Sequence, residues 1–337
     1  MPAANHGAAR RSRAAKIWLN LATMPLPPAV SVVVPCYNAA AFLPSTLRSV
    51  QAQQGFDLQI IVVDDGSSDG SPDLVARDFP DVTLVRQANA GVAAARNTGL
   101  AHARHDWVAF IDADDLWLPG KLQAQLDLLA SHLEAGMAYT AWKVWTSDAP
   151  VPDPPWLDRL LATDGDAQRW QGASGWIYPE LLVDCVVWTS SVLVRREMLA
   201  RAGGFDDTLR IGEDWDLWLR LSRLTPILRV PRPLALYRMH PHSITKAPPD
   251  TNYKHLIVTR ALQRWGVAGP DGRRADMADI RRSQARTWCD MAGARLLVGA
   301  VACARRDAVM AVRSQPMGAQ GWKVLAKAMA LSLAPGR

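Results

Sequence analysis

Apolar runs alternate with helical patterns along the first half of the chain. The runs are rich in Val and Ile, as in strands that are buried on both faces of a sheet. Between them, apolar residues recur every three or four positions, which is typical of helices. The predicted strands are 31–35, 59–63, 82–86, 107–111 and 138–145, and the predicted helices are 42–55, 74–79, 91–103 and 119–132. This order predicts an α/β fold with a mainly parallel sheet and helices on both of its faces.

The second half of the chain is less regular. Four prolines within 148–158 predict an irregular segment that continues to about Gly175 and could act as a lid. After it we expect a strand at 186–194, a helix at 213–224 and short β segments over 227–238. From Tyr253 onward Ala, Leu and Arg dominate, which predicts a helical appendage. The chain therefore divides into an arm at 1–28, an α/β domain at 29–250 and a helical region at 251–337.

Composition narrows the class of protein. Of the 337 residues 49% are apolar, which excludes a disordered chain and allows a sizeable core. The four cysteines stand far apart without a C-x-x-C pair, so we predict neither a zinc site nor a disulfide framework and expect a reducing, cytoplasmic compartment. No segment convincingly predicts a membrane span or signal peptide. Met24 lies just before the first strand and is a possible second start of translation.

Positive charge is concentrated at the two ends of the chain. Lys and Arg number 38 against 32 Asp and Glu, for a formal net charge of +6. A basic arm can bind nucleic acid or an anionic bilayer, although a solvated helix face is the commoner reason for such charges. We expect no nucleic-acid partner. We predict instead that the basic, Trp-bearing C-terminal helices lie peripherally against an anionic membrane.

Two acidic clusters follow predicted strands directly. Asp64 and Asp65 end one strand, and Asp112, Asp114 and Asp115 end another. Because the carboxyl ends of parallel strands share one edge of a sheet, where ligands bind, both clusters are expected at that edge. Asp112 and Asp114 could converge on a divalent cation that also contacts a diphosphate. Alternatively, these acids lead into the helix that begins near Pro119, as carboxylates often do.

The segment from Asp65 to Gly70 begins like a calcium-binding loop. Ala76 occupies the position of the closing glutamate, so that interpretation fails. A plain turn remains possible, as does a carboxylate that accepts a hydrogen bond from a nucleobase. The position of Asp65 at the edge of the predicted sheet favours the second.

Three further positions carry candidate chemistry. Arg96 lies on a helix that begins at the same edge, and could pair with phosphate or simply form a structural ion pair. Glu213 and Asp214 open a helix, where the helix dipole alone explains acids, but a carboxylate there could also deprotonate a hydroxyl. His240 and His242 are candidate cation or phosphate ligands, or ordinary loop histidines.

Together these segments resemble glycosyltransferase family 2. The resemblance covers roughly 29–243 and leaves the last part of the chain without a match beyond its helical character. It rests on six motifs in the expected order: Pro35-Cys36-Tyr37-Asn38, Asp64-Asp65-Gly66-Ser67-Ser68-Asp69-Gly70, Asn89-x-Gly91 with Ala95-Arg96-Asn97-x-Gly99, Asp112-Ala113-Asp114-Asp115, Gly212-Glu213-Asp214-x-Asp216-Leu217-Trp218, and Tyr237-Arg238-x-His240.

The resemblance implies a GT-A fold, with a nucleotide-binding half at 29–120 and an acceptor half at 121–250. It implies an inverting glycosyltransferase, of hexosyl or hexosaminyl type, that uses a nucleotide-diphospho-sugar donor with Mn²⁺ or Mg²⁺. A carbohydrate or lipid-linked acceptor in cell-surface polysaccharide or glycolipid synthesis would be its second substrate. The implied donor-binding residues are Pro35, Tyr37, Asn38, Asp65, Gly91, Arg96, Asn97, Asp112 and Ala113. The implied metal ligands are Asp114, Asp112 and His240, and the implied general base is Asp214 with Glu213 beside it.

Other enzyme classes fit less well. A nucleotidyltransferase should carry a Gly-rich basic loop after the first strand, where this chain has Cys36-Tyr37-Asn38-Ala39-Ala40-Ala41. The Rossmann and P-loop glycine motifs are absent. A processive polysaccharide synthase would add membrane spans and a Q-x-x-R-W motif, and Gln263-Arg264-Trp265 lacks that spacing. The remaining alternative is a non-catalytic nucleotide-sugar-binding or scaffold protein of the same fold.

Overall fold

The computed structural model describes residues 27–147, 149, 151–162, 172–240 and 249–333. Nearly all of the predicted arm, Met24 and His242 lie outside these described residues. A sheet of eight strands forms the centre of the α/β domain. Its strands are β1 Ala29–Cys36, β2 Asp57–Asp64, β3 Thr83–Arg86, β4 Trp107–Phe110, β5 Leu116–Trp117, β6 Met137–Thr146, β7 Val192–Arg195 and β8 Ile227–Met239.

Helices cover the sheet and form the C-terminal region. Those of the α/β domain are α1 Leu43–Gln51, α2 Ser71–Asp78, α3 Val92–His102, α4 Lys121–Ala130, α5 Pro154–Ala162, α6 Tyr178–Val183, α7 Arg196–Ala202 and α8 Glu213–Leu221. The appendage consists of α9 Tyr253–Trp265, α10 Met277–Leu297, α11 Val301–Ser314 and α12 Ala319–Leu333. The predicted helical appendage is thus confirmed.

The sheet is mixed, in the order β3-β2-β1-β4-β7-β6-β8-β5. The pairs β1–β2, β1–β4, β2–β3 and β6–β8 are parallel, whereas β7 runs antiparallel to both β4 and β6, and β5 antiparallel to β8. The predicted mixed, mainly parallel sheet is therefore confirmed. The carboxyl ends of β1, β2 and β4 share one edge, where the acidic motifs begin.

Side chains on β1 belong to two separate cores, because successive residues of a strand point to opposite faces of the sheet. Val33 packs on one face with Ile61 and Phe110. Val32 and Val34 pack on the other. Both faces being covered explains why the valine run lacks the alternation of a half-exposed strand.

Gly99 on α3 allows this helix to approach β1 closely. A Cβ atom at this position would lie 2.3 Å from Cγ1 of Val33. Any larger residue would push α3 away from the sheet. The helix carries Arg96, so this contact also fixes the distance of Arg96 from the sheet edge.

The segment 186–194 is not the strand that we predicted. A 3₁₀ turn occupies Thr189–Ser191, and the strand β7 begins only at Val192. The apolar residues suggested a strand, but the hydroxyls of this turn bond to other elements instead of continuing a ladder. The prediction is wrong for the part of the segment that matters most to the site.

Two other predictions need correction. The segment 148–175, predicted as irregular, contains the helix α5. Its first two residues are Pro154 and Pro155, which a helix tolerates at its start because the first N–H groups need no intrahelical acceptor. The short β segments over 227–238 form one long strand, β8, whose pairing with β6 shifts register near Thr140.

The appendage is joined to the domain through α9. Its residues Ile257, Val258 and Ala261 belong to the same core as Val33. The helices α10, α11 and α12 pack around a small separate core of Ala292, Ala304 and Ala308. Across the described residues, no helix combines the length and hydropathy required to cross a bilayer.

Candidate active site

The loop 112–115, called here the acidic loop, follows β4 at the carboxyl edge of the sheet. The Asp112 carboxylate accepts a hydrogen bond from Arg96 at 2.6 Å, and the Asp112 N–H donates to Ser190 Oγ at 3.0 Å. Ala113 is buried, and its carbonyl accepts from the Thr46 hydroxyl at 2.9 Å. The loop is therefore held from α1, α3 and the 3₁₀ turn at once.

Asp114 and His240 meet across the site. His240 Nε2 lies 3.0 Å from Asp114 Oδ2, and its ring packs on Phe42 with the centroids 4.7 Å apart. Burial and the neighbouring Asp112 raise the pKa of Asp114, while the contact with His240 opposes the rise. The sequence prediction that these residues share a site is consistent with this geometry.

Asp115 connects the acidic loop to three other parts of the chain. Its side chain is fully buried. One carboxylate oxygen accepts from Ser190 Oγ at 2.5 Å, and the other accepts from the Arg238 N–H at 3.0 Å. Its carbonyl accepts from Thr46 at 2.8 Å. Burial first, and then Asp114 and Asp112, raise the pKa of Asp115 well above its ordinary value.

Arg96 bridges two acids at the inner end of the site. It is 3% exposed and donates to Asp112 and, at 2.5 Å, to Glu213, while its guanidinium lies 5.4 Å from the Phe205 ring centroid. Burial lowers the pKa of Arg96, but Asp112, Glu213 and Asp214 outweigh it and keep the group charged. Arg96 thus forms an ion pair with two acids in the structure, and its predicted contact with phosphate stays a prediction.

The first turn of α8 places Glu213 and Asp214 at the site. Gly212 precedes them with φ of 81°, in the left-handed region. Burial and Asp214 raise the pKa of Glu213 to about 7, against the lowering effect of Arg96. Asp214 accepts from the Thr189 hydroxyl at 2.8 Å on one oxygen and from the Trp215 N–H at 2.7 Å on the other. These bonds fix the direction of the Asp214 carboxylate.

Asp65 organises the part of the edge formed by β1 and β2. Its oxygens accept from the Gln87 side chain at 2.8 Å and from the N–H groups of Ala90 and Gly91, both at 2.9 Å. Gly91 has φ of 90°, a conformation that glycine adopts without strain. Asp65 therefore fixes the loop before α3; the predicted contact with a nucleobase stays a prediction.

The end of β1 lies beside this loop. Pro35 is buried in the strand, whereas the Tyr37 ring is 56% exposed. Asn38 has a positive φ of 49°, and its side chain accepts from the Ser68 N–H at 2.8 Å. Tyr37 is thus an open aromatic surface next to a rigid turn, which suits contact with a planar ligand.

Asn97 has a different setting from the other predicted donor residues. Its side chain donates to the Phe205 carbonyl at 2.8 Å and accepts from the Phe205 N–H at 2.9 Å. Both polar ends of the amide are thereby used to hold the segment before α8. Its predicted contact with the donor stays a prediction.

The hydroxyls that join the two halves of the site were not predicted from the sequence. Thr189 bonds to Asp214, and the adjacent Ser190 bonds to both Asp112 and Asp115. Assigning 186–194 to a strand hid these contacts. The sequence predicts Asp115 in the acidic cluster at this edge, but not its buried contacts with Ser190 and Arg238. The run Trp188-Thr189-Ser190-Ser191, polar within an apolar segment, was the available signal.

A divalent cation is compatible with the side chains that meet here. Carboxylate oxygens from Asp112 and Asp114 with an imidazole nitrogen from His240 form a donor set that Mn²⁺ or Mg²⁺ accepts. Burial first, and then the charge of Asp112, raise the pKa of Asp114, and a bound cation would oppose both effects. Within the described residues, no three His, Cys, Asp or Glu side chains are arranged to hold a metal by themselves. Ligand oxygens or water would have to complete the coordination.

Comparison with known proteins identifies related sequences. The family model described as glycosyl transferase family 2 matches residues 31–148, and that described as glycosyltransferase like family 2 matches residues 162–258. An uncharacterised glycosyltransferase of Nostoc sp. is 31% identical over 216 residues, 63% of this chain and 65% of that protein. The putative teichuronic acid biosynthesis glycosyltransferase TuaG of Bacillus subtilis is 26% identical over 242 residues, 70% of this chain and 89% of that protein.

Solved structures share the fold. The mannosyltransferase PcManGT of Pyrobaculum calidifontis, in complex with GDP-Man and Mn²⁺, superposes with a TM-score of 0.51 at 20% identity, over 96% of this chain and 88% of that one. Both halves of the α/β domain match family 2 sequences, and the sheet with its flanking helices has the GT-A arrangement. The chain therefore belongs to glycosyltransferase family 2 and has the GT-A fold.

Proposed function

We propose that this protein is an inverting glycosyltransferase that moves one sugar from a nucleoside-diphospho-sugar to a hydroxyl of a carbohydrate or lipid-linked acceptor. The observation that carries the proposal is the convergence of three groups at one edge of the sheet. These groups are the acidic loop, the Arg96–Glu213 pair and the oriented carboxylate of Asp214. A scaffold protein of the same fold has no need to maintain all three.

Asp214 has the geometry of a general base. The hydroxyl of Thr189 and the N–H of Trp215 each bond to one of its oxygens, so the carboxylate stays fixed while lone pairs remain for an acceptor hydroxyl. Removing that proton makes the acceptor oxygen nucleophilic. It then attacks the anomeric carbon on the face opposite the departing diphosphate, through an oxocarbenium-like state. One displacement of this kind inverts the anomeric configuration.

Glu213 and Arg96 hold the acidic loop and Asp214 in position from the buried side of the site. The Arg96 fork joins Asp112 to Glu213, and therefore fixes the acidic loop relative to α8, which carries Asp214. A bidentate guanidinium holds two carboxylates at a set distance better than an ammonium can. The distance between the donor and the base thus depends on this pair.

We further propose that Asp112, Asp114 and His240 hold Mn²⁺ or Mg²⁺ together with the donor. The cation would supply positive charge to the leaving diphosphate. The donor set of these side chains supports the proposal, as does the presence of Mn²⁺ with GDP-Man in the mannosyltransferase that shares the fold. Tyr37, Asn38 and the loop held by Asp65 are the proposed border of the nucleotide pocket.

The name of TuaG, a putative teichuronic acid biosynthesis glycosyltransferase, supports a place in cell-surface polysaccharide synthesis. Assembly of such polymers needs single-sugar transfers to a growing acceptor. We propose that role at the cytoplasmic side of the envelope. The donor sugar and the pathway are set by contacts that the shared motifs do not determine.

The direct test is release of nucleoside diphosphate from a panel of UDP, GDP and dTDP sugars with Mn²⁺. We expect turnover of one donor that requires the cation. Asp214→Asn should lower it by about 10²–10⁴-fold, since the base is lost while the shape is kept. Asp114→Ala should reduce it comparably and raise the Mn²⁺ concentration needed for half-maximal rate. Product NMR should show an inverted anomeric configuration.

Asp216→Asn is the matched control. This acid lies on the same helix as Asp214 but pairs with Arg220 at 2.8 Å, a link worth about 0.5 kcal/mol. Its variant should keep nearly full turnover. Equal losses in the Asp214 and Asp216 variants would contradict the assignment of the base. Binding of a nucleotide sugar without turnover under any condition would favour the scaffold alternative.

A further inference from the structure

The outer surface of α12 has the composition of a helix that lies on a lipid surface. Trp322, Ala326 and Met329 recur at i, i+4 and i+7 and are exposed. The inner face, which includes Val324 and Leu325, packs on the small core of the appendage. The helix therefore has two apolar faces, and only one of them is covered within the described residues.

The turn before α12 extends this apolar surface. Met317 is 97% exposed, and Trp322 is 53% exposed while its indole N–H donates to the Pro316 carbonyl at 2.8 Å. The bond fixes the indole against the turn, so that its remaining surface faces outward. An indole with its N–H already satisfied loses little on entering a less polar medium.

Charge on this part of the appendage has one sign. From Met291 to the end of the chain Asp307 is the sole acid in the sequence, and it is buried against Arg295 at 2.7 Å. The cations of α11 and α12, by contrast, face solvent: Arg305, Arg306, Arg313, Lys323 and Lys327. Lys323 and Lys327 border the apolar stripe directly.

A cleft beside the same turn adds to the positive potential. It has a volume of about 220 Å³ and is lined by Arg282 and Arg286 of α10 and by Gln315 and Gly318 of the turn. Arg282 also pairs with Asp279 at 2.8 Å. The cleft is large enough for the phosphate of a headgroup, and Gly318 in its lining is the sequence neighbour of Met317.

We propose that the outer face of α12 and its preceding turn bind the surface of an anionic bilayer, with Met317, Trp322 and Met329 in the headgroup region. Apolar side chains flanked by lysines and an indole are the composition of interfacial helices. Each cation near an anionic surface adds to the affinity. The surface is remote in sequence from the acidic loop and α8, so this proposal does not depend on the proposed transferase activity.

The test is flotation of the full-length protein with vesicles of phosphatidylcholine alone or of phosphatidylcholine with phosphatidylglycerol at 3:1. We expect binding to the anionic vesicles that weakens as salt rises. Lys323→Gln with Lys327→Gln should lower the affinity about thirtyfold, about fivefold for each lysine. Trp322→Ala should lower it about tenfold through lost apolar burial.

The matched control removes two cations from other surfaces. Arg104→Gln with Arg201→Gln gives the same change in net charge from exposed positions on the α/β domain. It should float like the wild type. Circular dichroism of each variant checks that the appendage is folded. Turnover of the donor, measured without vesicles, should be the same for all of them.

Several results would overturn the proposal. One is equal loss in the control and in the lysine variant, which would reflect net charge alone. Another is the absence of flotation at every composition. Binding of a single-stranded oligonucleotide that the lysine variant abolishes, without vesicle binding, would make the face a nucleic-acid surface. A dimer in light scattering that Trp322→Ala dissociates would make it an interface between two copies of the chain.

Discussion

Two buried arginines, Arg96 in the candidate site and Arg295 in the appendage, have their positive charge balanced in different ways. Arg295 is 5% exposed and meets one acid, Asp307, which is 1% exposed, together with the carbonyls of Pro249 and Asp250. Arg96 is 3% exposed and meets two acids, one of which, Asp112, has a side chain 30% exposed. The first network is closed, and the second opens to the sheet edge.

The difference lies in how the charge is balanced. Asp307 and Arg295 neutralise each other, and backbone oxygens use further guanidinium hydrogens. Around Arg96 there are more carboxylates than cations, since Asp112, Glu213 and Asp214 all act on it. A buried pair that closes on itself serves the fold, whereas surplus charge at an open edge is retained for a ligand.

The largest effect is expected from Arg295→Leu. It leaves the buried Asp307 with only the exposed Arg306, whose Nε lies 3.9 Å from the Asp307 carboxylate, and we expect a loss of about 3 kcal/mol in the free energy of unfolding of the appendage. Urea denaturation followed by circular dichroism measures it. Adding Asp307→Leu should restore most of the loss. A destabilisation below about 1 kcal/mol would show that Arg306 alone balances the charge of Asp307, and the role given to Arg295 would be wrong.

Exchanging each arginine for lysine separates the two roles. Arg96→Lys keeps the charge but loses the fork that joins Asp112 to Glu213, so we expect donor turnover to fall about 30–100-fold. Arg295→Lys should cost stability but change turnover per folded molecule less than about twofold. The assay is the nucleoside diphosphate release described above. Similar turnover in both variants would remove the functional distinction between the two networks.

The titration of Glu213, which pairs with Arg96, makes the stability of the protein depend on pH. Its pKa is raised from an ordinary 4.5 to about 7, mainly by burial. The folded state therefore binds the Glu213 proton more tightly than the unfolded state does. The contribution of this proton to the free energy of unfolding is fully present below pH 4.5 and is lost as the pH rises through 7. Glu213→Gln does not titrate, and should gain about 2–3 kcal/mol relative to the wild type between pH 5 and pH 8. Denaturation at both pH values tests this, and a constant difference would contradict it.

The smallest effect is expected at the 3₁₀ turn. Ser190→Ala removes the hydroxyl that accepts from Asp112 N–H and donates to Asp115, which should cost about 1 kcal/mol and lower turnover about fivefold. Ser191→Ala is the control, because among the contacts described for it the hydroxyl of this buried neighbour bonds only to the Trp188 carbonyl. It should cost similar stability without the loss of turnover. Equal turnover in the two variants would remove Ser190 from the site.

The sequence was most informative where one periodicity dominates. The strands of the first half and their helices follow from β-branched runs and helical spacing, and the valine run of β1 matches a strand with both faces covered. The positions of Asp112 and Asp65 at one edge follow from the same topology. Local pattern and tertiary structure agree there.

Prediction failed where tertiary contacts decide the local conformation. The 3₁₀ turn at Thr189–Ser191 exists because its hydroxyls reach Asp112, Asp115 and Asp214 from distant parts of the chain. The four prolines within 148–158 suggested a loop, but two of them, Pro154 and Pro155, open α5, because the first turn of a helix also tolerates proline. The closed pair of Arg295 and Asp307 left no pattern in the sequence, because either residue alone resembles a solvated helix charge.

The contacts of Asp115 and Asp114 join parts of the chain that are far apart in the sequence, and this separation affects how the protein folds during its synthesis. The Arg238–Asp115 and His240–Asp114 contacts join residues 123 and 126 positions apart. At about 5–20 residues per second of synthesis, the acidic loop must wait on the order of 10 s for its partners to emerge from the ribosome. Six strands of the sheet, β1 to β4 with β6 and β7, precede β8 in the chain and can pair with one another before then. The nascent chain therefore carries a folded sheet with an unassembled acidic loop, and only β8 completes it.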